Sequence, residues 1–223
     1  LQRIRKKERP KLTEAEKFKL KDIGYGLIVP VIVGLLIVAF ATVIRSYLVN
    51  NLPMTSPIPH ILTFGFAQMI IFGVPLMLGL IWNKWAGGAA GFLMGGIYYL
   101  AMAGYSSFTY LQYGQTWNFF ADASLLTYIV VGILIGYIAG ALNNKSYSFK
   151  RMLGAGLTAA VTTGLIQYLV NYQFALEPNR AMTLADPGYA FFLVMLPQVI
   201  LGILVPIIAK VFTWYGIMPG GHA

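Results

Sequence analysis

Six apolar runs, each about as long as a bilayer is thick, leave this chain few ways to fold. They lie at Ile23–Leu48, His60–Trp82, Trp85–Gly104, Phe120–Leu142, Arg151–Ala175 and Tyr189–Tyr215. A backbone in hydrocarbon must satisfy its own hydrogen bonds, and only helices or closed barrels do so. The runs show none of the two-residue alternation a barrel strand requires. The expected class is therefore all-α: a polytopic membrane protein with six transmembrane helices.

Charge supplies the orientation. Only 10% of the 223 residues are charged, against about a quarter in soluble domains. Residues 1–22 hold nine of the 16 Lys/Arg residues. Lys84, Lys145, Lys150, Arg151 and Lys210 fall in loops or span ends on the same side, leaving Arg45 and Arg180 opposite. The positive-inside rule then places both termini in the cytoplasm. Three segments follow: a basic N-terminal segment (1–22), the six-helix domain (23–215) and a short cytoplasmic tail (216–223). Thr13 and Glu16 have capping-box spacing, so an amphipathic helix resting on anionic lipid is one reading of the first segment. A plain solvated anchor is the other. Orientation accounts for the net charge of +9, and no nucleic-acid partner is expected. The expected location is the plasma membrane, with multiple passes.

Several chemistries have no residues to support them. There is no cysteine, so thiolate metal sites and disulfides are excluded. The two histidines, His60 and His222, lack metal-ligand spacing, and no phosphate-binding G-x-x-x-x-G-K-[ST] occurs. Beyond residue 22 the acids are Asp122, Glu177 and Asp186 only. Neither an enzyme nor a carboxylate-driven pump is expected, and no cofactor or metal.

What remains is binding. The outer loops, Val49–Pro59, Tyr105–Phe119 and Leu176–Gly188, are longer than the inner ones, and such loops commonly carry binding residues. The stretch YSSFTYLQYGQTWNFFAD interleaves rings with polar groups, as a small-molecule pocket requires. Tyr113 and Trp117 are expected to stack on a ligand. Asn118, Asp122, Gln167, Asn171 and Gln198 are expected to supply hydrogen bonds. An interfacial aromatic belt and ordinary interhelical hydrogen bonding account for the same residues without a ligand. Gly87, Gly91 and Gly95 recur every four residues, as do Gly132, Gly136 and Gly140, and Gly156, Ala160 and Gly164. Such smooth faces suit close helix packing inside one subunit or docking of another. The face at Gly87, Gly91 and Gly95 is the candidate for partner docking. Pro30, Pro75, Pro197 and Pro206 fall inside spans and are expected to bend them.

With NKWAGGAAGFLMGG leading into a glycine-rich third span, and VVGILIGYIAGAL followed by a short basic loop, the layout resembles the substrate-binding S-components of energy-coupling factor (ECF) vitamin transporters. The resemblance implies a pocket built from spans four to six and the outer loops. It implies a transmembrane coupling subunit docked on the early spans, and energy from two separate ATPases. That family has two alanines four residues apart in its first span, whereas Ala39 and Ala41 stand two apart here. The leading expectation is a subunit that captures a vitamin-like nutrient. The alternative is a non-catalytic structural subunit of a larger membrane complex.

Overall fold

A computed structural model describes residues 67–112, 123–174 and 186–214, together with the exposed helical residues Ile32 and Leu35. Apart from those two positions, the described residues form five helices and no strand. They are α1 (Ala67–Ile81), α2 (Lys84–Gln112), α3 (Ala123–Asn143), α4 (Phe149–Phe174) and α5 (Pro187–Trp214). Within them, Leu125–Asn143, Phe149–Tyr172 and Pro187–Trp214 are long and apolar enough to cross a membrane.

Each of the last five expected spans overlaps one of these helices, and the last three overlap the helices long and apolar enough to cross a membrane. The first span, the basic N-terminal segment with its capping-box pair, the loop Val49–Pro59 and the C-terminal tail lie outside the described residues. One boundary differs clearly. The third span continues to Gln112, so the first eight residues of the expected loop Tyr105–Phe119 are helical. No proline or charge interrupts this stretch, and nothing in it obliges the backbone to leave the helix.

Local chemistry sets the helix ends. Asn83 caps α2: its Oδ1 accepts from the Ala86 N–H at 2.8 Å, satisfying an N–H that has no partner inside the helix. Asp186 does the same for α5, accepting from the Tyr189 N–H at 2.9 Å. Pro187, next in sequence, has no N–H to leave unpaired and is preset for a first helical turn. Between α3 and α4 the chain reverses through Asn143–Ser146. Asn144 and Lys145 have φ of 47° and 57°, and the Ser146 N–H donates to the Asn143 carbonyl at 3.0 Å. Two consecutive positive φ angles closed by that bond are the pattern of a type I′ turn.

Glycine sets how closely the helices pack. Along the antiparallel pair α2 and α3, Gly87 meets Gly136, Gly91 meets Gly132, and Gly95 meets the backbone of Tyr128 and Ile129. A Cβ on Gly87 would lie 2.6 Å from the Gly136 oxygen, inside any real contact. Gly79 of α1 enters the same junction against Gly136 and Gly140. Helix α5 meets α4 through a second seam. The Pro206 ring sits over Gly156, and Gly202 lies against Leu157 and Ala160. Gly73 brings α1 against Leu201 and Val205 of α5. Pro75, Pro197 and Pro206 are all buried, so these prolines serve as packing surfaces.

Large apolar side chains face both inward and outward. Phe72, Leu76, Val131 and Ile135 are fully buried at the centre. Phe192, Leu196, Ile203, Leu204, Ile207 and Ile208 of α5 are exposed. A continuous apolar exterior of this kind suits lipid rather than water.

Candidate functional site

The helices have two chemically different ends. Lys84, Lys145, Lys150, Arg151 and Lys210 are the described cations, and all sit at one end. Side chains reaching between elements hold that end together. Asn143 Nδ2 donates to the Leu80 carbonyl of α1 at 2.7 Å, in a fully buried position. Arg151 Nε donates to the Leu142 carbonyl at 3.1 Å, and Lys210 Nζ of α5 donates to the Tyr147 carbonyl at 2.9 Å. Lys84 Nζ lies 5.6 Å from the ring centroids of both Trp85 and Tyr137, within range of a cation–π attraction. Asp186, the acid among the described residues, lies at the opposite end, where it caps α5.

Toward that opposite end is a level of the bundle where buried polar side chains gather. Gln68 on α1, Thr127 on α3, Thr163 and Gln167 on α4 and Gln198 on α5 are all buried. At 1.5 Å per residue these positions stand about 20–27 Å from the basic end. The packing between helices agrees. Gly73 against Leu201 and Val205 sets parallel α1 and α5 in a register that puts Gln68 level with Gln198.

Two of these residues are joined. Gln198 Nε2 donates to Gln167 Oε1 at 3.2 Å across the α4–α5 interface. Gly164, one turn before Gln167, makes this approach possible, because a Cβ there would lie 2.9 Å from Met195 Sδ and 3.2 Å from Gln198 Cγ. The single bond leaves Gln167 Nε2 and Gln198 Oε1 buried without a partner, and Thr127 Oγ1 is in the same condition. Thr163, by contrast, is satisfied locally, its hydroxyl donating to the Ala159 carbonyl at 2.8 Å or to that of Ala160 at 3.1 Å. Buried polar atoms almost always have partners, and each orphan costs about 1–3 kcal/mol. Asn143 Oδ1 at the basic end is orphaned too, so the glutamine pair is set apart by holding two such atoms on side chains bonded to each other.

Aromatic side chains occupy the same level on the other helices. Tyr98 and Tyr99 of α2 and Tyr128 of α3 are buried. Tyr98 meets Tyr128 edge-on at 4.6 Å between centroids, and Phe72 stacks on Tyr128 at 6.4 Å. Nearer the end of α4, the Tyr168 ring packs edge-on against Phe191 at 5.2 Å, and its hydroxyl donates to the Pro187 carbonyl at 3.3 Å.

Of the expected ligand-binding residues, the structure brings Gln167 and Gln198 together and leaves Asn171 half-buried one turn beyond Gln167. Tyr113, Trp117, Asn118 and Asp122 lie outside the described residues. The expected docking face is filled from within. Gly87, Gly91 and Gly95 are buried against α3 of the same chain, with no space for even a methyl group, so they are closed to another protein. The glycines of α3, and Gly156 and Gly164 of α4, are likewise used inside the bundle. Sequence reading passed over Thr127, Tyr98, Tyr99 and Tyr128. Counting residues from the basic loops would have placed them level with Gln167.

No family model, curated protein or solved structure matches the chain.

Proposed function

We propose that this protein is the substrate-capture subunit of a membrane uptake system, with six spans and both termini in the cytoplasm. It takes a small vitamin-like molecule from the outer side of the plasma membrane. The observation that carries the reading is the buried glutamine pair, Gln167 and Gln198, whose leftover polar atoms lie far from the basic end. Basic residues mark the cytoplasmic side, so this level falls in the outer half of a hydrocarbon layer about 30 Å thick. Polar groups are costly there and commonly belong to a substrate pathway.

Tyr113 and Trp117 stack on the bound molecule in this reading, and Asn118, Asp122 and Asn171 complete its hydrogen bonds. Separate ATPases, reached through a transmembrane coupling subunit, supply the energy. The resemblance to ECF S-components supports that arrangement. Purified protein is to be titrated with a panel of vitamins. Saturable binding of one of them, weakened by Gln167→Leu, is the expected result. Failure to bind any vitamin, together with purification free of ATPases, rejects the reading.

The second reading, a structural subunit of a larger membrane complex, is favoured by one observation. Gly154 on α4 has open space where a side chain would stand, and Thr158 and Thr162 are exposed along the same helix. Small residues of this kind let a neighbouring helix approach closely. Native mass spectrometry of mildly solubilised membranes separates the two. Stable association with oxidoreductase subunits rather than ATPases selects the second.

A further inference from the structure

The hydrogen-bonding inventory of the glutamine pair narrows the class of molecule whose polar groups would match it. Each amide has an oxygen that accepts and a nitrogen that donates. One oxygen and one nitrogen are joined at 3.2 Å, using one of that oxygen's two lone pairs and one of that nitrogen's two N–H groups. One donor atom, Gln167 Nε2, and one acceptor atom, Gln198 Oε1, have no partner at all, and both are fully buried. Turning both amides over exchanges the residues but leaves the same inventory of one donor and one acceptor. Because the two amides are bonded to each other, the leftover atoms belong to adjacent groups.

We infer that the molecule captured here is uncharged and offers the pair an acceptor and a donor on neighbouring atoms. The edge of a cyclic amide, a cyclic urea or a pyrimidinedione has this form. Its carbonyl accepts from one glutamine while its N–H donates to the other. A carboxylate or phosphate would satisfy the donor but confront the acceptor oxygen with negative charge. An ammonium would do the reverse. Among the described residues no charged side chain lies at this level to compensate an ionic group, and uncompensated charge is strongly disfavoured in a low-dielectric interior.

This inference rests on the capture reading, and the test separates the two. The full chain in phosphatidylcholine nanodiscs is examined by saturation-transfer NMR with uracil and ethyleneurea as probes. Their N,N′-dimethyl derivatives keep the rings but remove the donors, and orotate adds a carboxylate to uracil. Uracil or ethyleneurea is expected to bind saturably. The methylated and carboxylated analogues should bind at least about tenfold more weakly, the order of loss when a buried polar group goes unpaired. The double variant Gln167→Leu, Gln198→Leu should lose probe binding while its unfolding temperature is unchanged or higher, since it removes both orphan atoms. Equal binding of the methylated analogues, or undiminished binding by the double variant, overturns the inference. If neither probe binds but a vitamin lacking such an edge does, the inference fails and the capture reading stands. If nothing binds, both fail.

Discussion

Single glycines carry unequal weight in this molecule, and their surroundings decide which matter. Gly91 lies directly on the Gly132 backbone, whereas Gly96 has nothing within 4 Å of where its Cβ would be. Gly91→Ala is expected to lose about 1–3 kcal/mol or more through forced separation of α2 and α3. Gly96→Ala should be neutral or gain about 0.5–1 kcal/mol, because alanine loses less chain entropy in a helix. Thermal unfolding in detergent compares the two. The spacing of these glycines was visible in the sequence, but which of them meet backbone was not. A four-residue period identifies a face and leaves the neighbour unspecified. The caps were legible and easily missed. Asn83 precedes the Lys84 start, and Asp186 stands directly before Pro187, both strong signals of a helix beginning. Asp186→Ala should cost about 1 kcal/mol by removing the acceptor for the Tyr189 N–H, again read from unfolding. The glutamines illustrate the opposite limit. Residue type and its place in the outer half of the fifth expected span made Gln167 a candidate. Only packing reveals that Gln198 is its partner and that one donor and one acceptor remain.

Whole helices were the most readable level, since twenty apolar residues in a row leave little alternative to a span. The ends were harder where sequence offers no stop signal, and α2 runs past its expected limit to Gln112 for that reason. Between helices, the inner loops are short and firmly tied. Asn143 joins the end of α3 to the end of α1 through the Leu80 carbonyl. Asn143→Ala removes that buried bond and leaves the carbonyl unpaired, a loss of about 1–3 kcal/mol. Helix α1 should then show the faster amide exchange at its C-terminal turn, measurable by hydrogen–deuterium exchange mass spectrometry. The prolines were expected to bend their helices. In the bundle Pro206 also fills the hollow over Gly156, and Gly73 receives Leu201. A ring or a missing side chain is as much a matter of shape as of backbone, and shape has meaning only once a neighbour is present.

At the scale of the molecule, the two ends differ in charge, and the proposed seating of the bundle in a membrane rests on that difference. The described cations gather at one end, and Asp186 lies at the other. These 223 residues include no cysteine, so single cysteines placed in them report without background. Lys150→Cys in intact cells should resist a membrane-impermeant maleimide, and Gly188→Cys should react. The reverse result would invert the molecule and place the glutamine pair in the cytoplasmic half. The seam between α2 and α3 carries one further consequence. Glycine recurs every four residues on both helices, so sliding one past the other by a full turn would again set glycine on glycine. The seam holds the helices close yet does not itself choose their alignment. That choice falls to the features that break the repeat: Tyr128 opposite Gly95, its ring lodged between Phe72 and Tyr98, and the Asn143 bond to Leu80. Smoothness brings the helices together, and a few irregular residues at either end of the seam decide where they stop.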